Sequence, residues 1–283
     1  MDKLMYQKVI DANIAIYKTI SKHYDSCEPH YRPENIEQVE NKLKEIFKET
    51  NATKMLDLGC GTGFLINIAK KYVGQIDGVD VSRDMLDKVD KSGKATINLH
   101  VNDTGSFPVE KATYDVVTAY SFLHHLFDIK PTLQTAFNAL KKGGVFFNDL
   151  DPNFYYWEQI NSLEREGNYD PIIKREIEMV TYKDEDIEKT FGVSKDDFNH
   201  AEFGKNIAGG FREEHLRQVL LEVGFSQVEI FYFWFLGQAS IVNNPGMKRE
   251  ENLKFASLMN ESLQRTLPLS RILFKYIGFK ATK

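Results

Sequence analysis

The segment Met55–Gly63, which reads MLDLGCGTG, constrains the fold of this chain more than any other segment. A short apolar strand runs up to Asp57, and three alternating glycines follow it: Gly59, Gly61 and Gly63. Glycine is needed where the backbone adopts positive φ or must approach a ligand within van der Waals distance. The apolar pattern that begins at Phe64 predicts a helix whose free N–H groups face the same point. This order of strand, glycine turn and helix predicts the nucleotide-binding corner of a doubly wound α/β sheet.

The spacing of the glycines distinguishes between ligands. A dinucleotide fingerprint, Gly-x-Gly-x-x-Gly, requires a small residue at the position that Phe64 occupies here. Asp57 lies two residues before the first glycine, where a carboxylate repels a pyrophosphate and attracts a cation. S-adenosylmethionine carries an ammonium and a sulfonium group, so the sequence favours this cofactor over a nicotinamide dinucleotide.

Acidic residues end the next two predicted strands. Asp80 lies roughly 20 residues after the glycines, where such folds place a carboxylate that binds both ribose hydroxyls. Ser82 is the better N-cap for the helix that follows, which leaves Asp80 free for the ribose. Met85 in that helix either lies against the adenine or fills the core.

The third predicted strand ends in Asn102, Asp103 and Thr104. We expect Asp103 to accept a hydrogen bond from the adenine amino group, with the backbone of its two neighbours reading the ring edge. An Asx-type turn leading into Gly105 is the alternative interpretation of the same residues.

Strands rich in β-branched and aromatic residues alternate with amphipathic helices, which predicts βαβ crossovers and a parallel sheet. With the Val-Asp-Val-Ser, Asn-Asp, Leu-His-His-Leu and Leu-Lys-Lys-Gly-Gly motifs in this order, the chain resembles the class I S-adenosylmethionine-dependent methyltransferases of small-molecule type. The resemblance covers residues 52–153, resumes at Gly210–Phe225 and ends with Tyr276–Lys283. It implies a Rossmann-like methyltransferase fold, which is a doubly wound, mostly parallel, seven-stranded sheet.

The resemblance also implies four parts. Residues 1–50 are expected to form a helical lid, and residues 51–151 the cofactor-binding α/β core. Residues 152–209, with helices predicted at Pro171–Thr181 and Asp184–Thr190, are an inserted lid over the acceptor pocket. Residues 210–283 supply the final helix and a C-terminal β-hairpin that completes the sheet.

The cofactor, S-adenosylmethionine with S-adenosylhomocysteine as product, is then expected to contact the glycine corner and the strand ends. The predicted cofactor-binding residues are Tyr24, Asp57, Gly59, Cys60, Gly61, Gly63, Asp80, Val81, Met85, Asn102, Asp103, Thr104 and Tyr120. In this family an N-terminal segment commonly closes over the cofactor, which makes Tyr31 a further lid candidate and Arg32 a candidate partner of the cofactor carboxylate.

Three residues, His125, Asp149 and Asp151, are the candidates for catalysis. His124 and His125 follow the fourth strand, and on a helix beginning there they point about 100° apart, so that one can face the pocket. The resemblance favours His125, with a purely structural histidine as the alternative. Asp149 and Asp151 alternate on the fifth strand and are expected to share a face, where they bind an amine acceptor or take its proton.

Weaker signals concern the acceptor pocket. His200 and Glu202 form a fainter pair for the same pocket, and no dedicated metal-ligand spacing is visible, so no metal is predicted. The aromatic run Phe154–Trp157 is either a wall that attracts a cation or the inserted lid's own small core. The run Phe231–Phe235 is predicted to be a core strand buried on both faces.

Composition limits the partners. The formal net charge is −5, which disfavours a nucleic acid substrate, since tracking a phosphate backbone requires a concentrated positive face. The two cysteines, Cys27 and Cys60, have neither metal-ligand nor disulfide-framework spacing. The longest apolar run, Ile230–Leu236, is too short to span a bilayer, and the N-terminus does not resemble a signal peptide. We expect a soluble, cytoplasmic protein of undetermined oligomeric state.

The sequence therefore predicts transfer of a methyl group from S-adenosylmethionine to O or N of a small-molecule acceptor by in-line displacement. Three alternatives stay open. The enzyme could use the same cofactor for cyclopropane formation or aminopropyl transfer, it could be a nicotinamide dehydrogenase, or the chain could be a non-catalytic S-adenosylmethionine-binding module.

Overall fold

The computed structural model of the chain describes residues 2–180 and 184–283. Its strands are β1 Lys54–Leu58, β2 Gln75–Asp80, β3 Thr96–Val101, β4 Tyr114–Tyr120, β5 Leu140–Pro152, β6 Gln227–Phe235 and β7 Phe274–Thr282. They form one seven-stranded sheet in the order β3-β2-β1-β4-β5-β7-β6. The first five strands are parallel, and β7 is antiparallel to both of its neighbours. The predicted doubly wound, mostly parallel, seven-stranded sheet is confirmed.

Helices cover both faces and the carboxyl edge of this sheet. The longer ones are α1 Lys3–Ile20, α3 Pro33–Thr50, α6 Lys130–Ala139, α7 Phe154–Asn161, α8 Pro171–Val180, α9 Asp184–Phe191, α10 Lys195–Ala201, α11 Glu213–Val223 and α13 Arg249–Gln264. The shorter ones are α2 Tyr24–Cys27, α4 Phe64–Ala69, α5 Arg83–Leu86 and α12 Gln238–Val242. Short 3₁₀ segments occupy Pro29–Tyr31, Leu123–His125 and Leu269–Leu273, and a π-helix occupies Phe203–Ile207. The predicted end of the helix at Thr181 lies outside the described residues.

The central strands are apolar on both faces because helices cover both. On one face α6 and α11 pack on a core that includes Val117 and Phe146, both fully buried. On the other face α3 and α4 pack on a core that includes Met55 and Val116, also fully buried. In a parallel sheet covered on both faces, ligands can bind at the carboxyl edge, which here lies beneath the N-terminal and inserted helices.

Strand β5 departs from the predicted alternation. Leu150 has φ 65°, and the pairing of β5 with β7 shifts register between Asn148 and Asp151. Such a bulge re-aims the side chains that follow it. The Asn148 amide consequently donates to Asp151 across 2.8 Å, so the prediction that Asp149 and Asp151 share a face is wrong.

Strand β6 pairs only with β7 and is therefore the edge of the sheet. Its aromatic residues are half-buried for the most part, with Tyr232 and Phe235 buried. The prediction of a strand buried on both faces is thus only partly met, since an edge strand is covered less completely than a central one.

The inserted segment and the N-terminal helix form a second layer above the carboxyl edge. Ala12 and Ile16 of α1 pack against Ile187 and Phe198 of the insertion. Tyr156 and Trp157 form a separate small core with Ile160 and Ile177, so the aromatic run of α7 fills its own layer. Across the described ranges, none of the helices combines the length and the apolar character that crossing a membrane requires.

We predict that Phe146→Ala lowers the free energy of unfolding by about 3–5 kcal/mol, because it leaves a cavity in a fully buried core. Phe255→Ala removes the same side chain at a position that is 58% exposed and should change stability by less than about 0.5 kcal/mol. Chemical denaturation of both variants measures the difference. Equal losses would contradict the placement of the core.

Candidate functional site

A pocket opens at the carboxyl ends of β1, β2 and β4, beneath α1 and the segment that follows it. Its walls come from the N-terminal segment, the glycine corner, the ends of β2 and β3, and the turn after β4. The lining residues are Ile10, Asn13, Tyr17, Tyr24, His30, Tyr31, Asp57, Gly59, Cys60, Gly61, Thr62, Phe64, Leu65, Asp80, Val81, Met85, Asp103, Thr104, Tyr120, Ser121, Phe122, His125 and Leu126.

The glycine corner has the backbone that its sequence predicts. Gly59, Gly61 and Gly63 have φ of 69°, 51° and 89°, which residues with a side chain rarely adopt. A Cβ atom on Gly59 would lie 2.0 Å from the ring of Phe122, so this glycine also allows a close approach. The amides of Gly59 and Cys60 both donate to the carbonyl of Val79, which joins the corner to the end of β2.

Asp80 is fixed by the backbone on both sides. Its Oδ2 accepts from the amide of Gly61 across 2.9 Å, and its Oδ1 accepts from the amide of Ser82 across 2.8 Å. Ser82 caps α5, as predicted, through its hydroxyl and the amide of Met85. Burial raises the pKa of Asp80, while these backbone donors act in the opposite direction. The carboxylate therefore stands at the pocket wall in one orientation, with lone pairs left for further donors.

The pocket is acidic, since two aspartates on its wall lie at the carboxyl ends of β1 and β2. Asp57 is 2% exposed and accepts from the Thr118 hydroxyl across 2.7 Å. Burial raises the pKa of Asp57 to about 7, and the nearby charge of Asp80 adds to the increase. Among the lining residues that the structure describes there is neither lysine nor arginine. This set of donors and acceptors fits a ligand with hydroxyls and a positive centre, and it does not fit a pyrophosphate.

Asp103 is already engaged on both of its oxygens. The Tyr6 hydroxyl of α1 donates to Oδ2 across 2.5 Å, and the amide of Gly105 donates to Oδ1 across 3.2 Å. The second bond is the Asx-type turn that was the alternative interpretation of these residues, and the first is a contact with α1 that the sequence did not indicate. The Thr104 hydroxyl is likewise occupied, at 2.8 Å from the hydroxyl of Thr132.

The segment after α1 is bonded to the glycine corner. Asp25 accepts from the Thr62 hydroxyl across 2.6 Å, and the Tyr31 hydroxyl lies 2.6 Å from the same Thr62 oxygen. His30, which is 2% exposed, lies among the rings of four pocket residues. Those rings are Tyr24, Tyr31, Phe64 and Tyr120, with centroids 4.8–6.0 Å from that of His30. Burial lowers the pKa of His30 to about 4.

His125 lies on the pocket wall, and its tautomer follows from its partners. Its Nδ1 lies 2.7 Å from the carbonyl oxygen of Ala201, which can only accept, so Nδ1 carries the proton. In the neutral ring Nε2 is then an acceptor, and the Tyr17 hydroxyl donates to it across 2.8 Å. Burial lowers the pKa of His125 to about 4, with the neighbouring His124 as a further cause, so the ring is neutral at pH 7.

His124 faces away from the pocket and joins an ionic cluster. The two histidines lie on a 3₁₀ turn and not on the predicted α-helix, and their ring centroids are 4.0 Å apart. Asp151 accepts from the backbone amide of His124 across 3.0 Å and lies 2.7 Å from its Nδ1. Glu202 lies 3.8 Å from a nitrogen of each histidine and 3.7 Å from the ammonium of Lys205.

The charge on Glu202 is set by opposing effects. Burial acts to raise its pKa, but Lys205 and the two histidines outweigh burial and lower that pKa to about 2. The His124, His125 and Glu202 ligand atoms lie within 4.8 Å of one another. Both ring nitrogens of His125 nevertheless have hydrogen-bond partners already, and a lysine pairs with the carboxylate, so the cluster is arranged as an ion-pair network.

Asp149 is buried beside the pocket without lining it. Its Oδ2 lies 3.4 Å from the ammonium of Lys42, which also lies 3.4 Å from the centre of the Phe233 ring. Its Oδ1 has no partner in the described part of the chain. Burial raises the pKa of Asp149 to about 6, against the charge of Lys42.

The structure brings most of the predicted residues to one pocket. Of the predicted set, Gly63, Asn102, Asp149 and Asp151 do not line it, and the remaining members do. Arg32 is exposed and lies away from the wall, as does the aromatic run of α7. His200 bonds to the backbone of Asp196 within α10.

Three pocket residues of the N-terminal segment with polar side chains were not predicted from the sequence, namely Asn13, Tyr17 and His30. The one sequence signal for Asn13 and Tyr17 is the spacing of residues 6, 10, 13 and 17, which places both on one face of α1, whereas His30 lies outside this helix. That spacing is equally typical of an ordinary core-facing helix.

Comparison with known proteins agrees with this geometry. Residues 56–148 match a family described as "Methyltransferase domain". A ubiquinone biosynthesis O-methyltransferase of Hydrogenovibrio crunogenus is 30% identical over an alignment of 136 residues, with 44% of this chain and 56% of that protein covered. The mouse mitochondrial arginine-hydroxylase NDUFAF5 is 29% identical over an alignment of 124 residues, with 42% of this chain and 36% of that protein covered. The chain thus matches between about a third and a little over half of the length of these relatives.

Solved structures share the fold across nearly the whole chain. The plantazolicin methyltransferase BpumL has a TM-score of 0.54 at 16% identity and covers 100% of this chain and 99% of its own. An S-adenosylmethionine-dependent methyltransferase from Mesorhizobium loti has a TM-score of 0.52 at 18% identity, with 86% and 96% covered. At these identities the likeness concerns the fold.

We predict that His30→Phe makes the free energy of unfolding less sensitive to pH between about 6.5 and 4. The folded-state pKa of His30 is lowered to about 4, whereas its unfolded value is near 6.5. Between these two pH values the unfolded state binds a proton that the folded state does not, so the free energy of unfolding is largest above pH 6.5 and decreases as the pH falls through this window. Phenylalanine keeps the ring contacts and removes the titration. The difference between the two proteins should change by up to about 3 kcal/mol across the window, measured by urea denaturation. A difference in the free energy of unfolding between the two proteins that stays constant from pH 8 to pH 4 would contradict this prediction.

Proposed function

We propose that the protein, whose residues 56–148 match the methyltransferase domain family, is an S-adenosylmethionine-dependent methyltransferase that transfers a methyl group to O or N of a small-molecule acceptor. The observation that carries the proposal is the Asp80 carboxylate, which two backbone amides hold at the wall of an acidic pocket. In this proposal the carboxylate accepts both ribose hydroxyls.

We assign the pocket residues to parts of the cofactor by their chemistry. The glycine corner and Asp57 would hold the cationic end, where a carboxylate favours positive charge. Asp80 would hold the ribose, and Met85, Asp103 and Thr104 would surround the adenine. Bound S-adenosylmethionine supplies a methyl group that is already activated on a sulfonium. The protein has to orient the acceptor in line with that methyl and exclude water.

The N-terminal segment and the insertion fit the role of lids. Tyr6, Asp25 and Tyr31 bond to the two ends of the pocket, and α1 packs directly against the inserted helices. An arrangement that covers the pocket in this way excludes water from the acceptor.

Tyr17 and His125 are the pair that we assign to the acceptor proton. Nε2 of His125 is already occupied by the Tyr17 hydroxyl, so the phenol oxygen is the atom that this pair presents. When the acceptor oxygen gains the methyl group and the methyl–sulfur bond breaks, the acceptor's proton would pass to the Tyr17 oxygen and the Tyr17 proton would pass to Nε2 of His125. A ring with a pKa near 4 cannot deprotonate an alkylammonium, but it can accept a proton from an oxygen that becomes strongly acidic as it is methylated. This pair therefore favours a hydroxyl acceptor.

The two acids at the end of β5 receive different roles. The Asp151 carboxylate accepts from His124 and Asn148, so we assign it to positioning of the His124–His125 turn. Asp149 keeps one oxygen without a partner among the described side chains, and a pKa near 6 suits a group that binds an acceptor N–H or O–H. Contact with the acceptor would require the layer above Asp149 to move.

The relatives bear on the acceptor only in part. The Hydrogenovibrio crunogenus protein is named as an O-methyltransferase, in line with a hydroxyl acceptor, whereas the mouse protein is named as a hydroxylase. Mass spectrometry of the product separates these reactions, since methylation adds one CH₂ and hydroxylation adds one oxygen. A product carrying an aminopropyl group or a cyclopropane ring would indicate the other S-adenosylmethionine chemistries, and binding without turnover a non-catalytic module.

We predict that Asp80→Asn weakens binding of S-adenosylhomocysteine by about 1.5–3 kcal/mol, the range for hydrogen bonds to a charged group. Asp77→Asn is the matched control, because it changes a buried acid on the same strand that bonds to Tyr114 and Asn98. Isothermal titration calorimetry measures both variants. Wild-type-like affinity of Asp80→Asn, or binding of NADH in place of S-adenosylhomocysteine, would refute the cofactor assignment.

We predict that Tyr17→Phe lowers the rate of hydroxyl methylation by about 10²-fold, at the lower end of what general acid–base catalysis contributes. Binding of S-adenosylhomocysteine should stay within about twofold of the wild type. The assay follows methyl uptake by a panel of phenols, sugars and amines, with Tyr155→Phe, whose hydroxyl bonds to Glu214, as the control. An undiminished rate in Tyr17→Phe would remove Tyr17 and His125 from the reaction.

A further inference from the structure

Two buried polar side-chain atoms on residues of the pocket wall have no hydrogen-bond partner among the described residues. They are Oδ1 of Asn13 and Nδ1 of His30, and both belong to the N-terminal segment. Leaving a buried polar atom unsatisfied costs about 1–3 kcal/mol, so such an atom in a pocket points to a ligand. The orientation of Asn13 is the better defined of the two, because its amide nitrogen Nδ2 has known hydrogen-bond partners.

The orientation of the Asn13 amide is determined by its surroundings. Its Nδ2 donates to the carbonyl of Val9 across 2.8 Å and to the carbonyl of His125 across 3.1 Å. Carbonyl oxygens only accept, so a flipped amide would place oxygen against oxygen at both contacts. Oδ1 is therefore the free atom, and it requires a donor. Asn13 is 5% exposed, which leaves the pocket as the source of that donor.

The position of Asn13 on α1 relates it to the adenine end of the pocket. Tyr6 lies seven residues earlier on the same face, about 10 Å along the helix axis, and bonds to Asp103. Tyr17 lies one turn later and bonds to His125. Asn13 thus stands between the residues of the adenine end and those of the acceptor end.

The donors of the cofactor can be matched with acceptors in turn. The ribose hydroxyls have Asp80 as their acceptor, the ammonium has Asp57 and the glycine corner, and the sulfonium has no hydrogen to donate. Both oxygens of Asp103 already accept bonds from within the chain. The adenine amino group has two hydrogens to donate. The lone pairs left on Asp103 can accept one of them, and Asn13 Oδ1 is a pocket acceptor that lacks a donor within the described chain.

We propose that Asn13 accepts a hydrogen bond from the exocyclic amino group of the adenine, and that α1 thereby takes part in recognition of the base. The inference rests on the proposed cofactor. It assigns to a residue outside residues 56–148 a part of the specificity for 6-aminopurine over other purines. The helix above the pocket is then a component of the cofactor site as well as its cover.

A double-mutant cycle on the full chain tests this contact. The ligands are S-adenosylhomocysteine and its analogue in which hydrogen replaces the 6-amino group of the base, and the proteins are the wild type, Asn13→Ala and Asn13→Leu. Calorimetry is expected to show that the wild type prefers S-adenosylhomocysteine over the analogue by at least about fivefold. In both Asn13 variants the preference should shrink by about the same factor, while affinity for the analogue stays within about twofold of the wild type.

Asn252→Ala is the matched control. Asn252 is also a buried asparagine whose Nδ2 donates to two carbonyls and whose Oδ1 is unpartnered in the described chain, but it lies in α13, away from the pocket. It should bind both ligands as the wild type does. Thermal unfolding of all three variants shows whether they are folded, and the leucine variant keeps the volume of the side chain if the alanine variant is too unstable.

Two results would overturn the inference while leaving the proposed function intact. Equal weakening of both ligands in the Asn13 variants would assign Asn13 to another part of the ligand or to the docking of α1. An unchanged preference in those variants would remove Asn13 from base recognition. Failure of the wild type to bind S-adenosylhomocysteine at all would instead refute the cofactor assignment, and this inference with it.

Discussion

The clamp on Asp80 is the interaction on which the rest of the site depends. One carboxylate accepts from the amide of Gly61 on one side and of Ser82 on the other, so it ties the glycine corner to the end of β2 and to the start of α5. The corner in turn donates two amides to the carbonyl of Val79. Because these bonds are made by the backbone, they do not depend on side-chain rotamers, and they hold the pocket floor in one geometry before any ligand binds.

The upper half of the pocket is held by a different kind of contact. Side chains of the N-terminal segment bond to the sheet layer at Asp103, Thr62 and His125, and each bond joins residues far apart in the chain. A pocket built in this way is complete only when α1 is docked. Ligand binding and the docking of α1 are therefore expected to stabilise each other, since a ligand that binds only the docked state favours it by mass action.

The pocket and the ionic cluster behind it differ in how their charges are balanced. The pocket wall carries Asp57 and Asp80 without a balancing lysine or arginine in the described chain, and burial raises the pKa of both acids, so a positive ligand relieves an unfavourable arrangement. Behind the wall, Glu202 is balanced by Lys205 and by the histidine turn. A neutral His125 at the boundary is suited to accept a proton for a short time and to release it again.

The sequence by itself determined the α/β fold, the glycine corner, and the acids at the strand ends, because each of these follows from spacing within a few residues and from the rule that strand ends meet at one edge. The tertiary structure alone decided which residues complete the pocket. Tyr17 meets His125 across 108 positions of sequence, and Asn13 meets the same turn across 112, so local patterns carry no trace of either contact. The bulge at Leu150 could not be predicted from the sequence either, because positive φ in a residue with a side chain is imposed by its surroundings. This bulge turns Asp151 away from the face that simple alternation predicts.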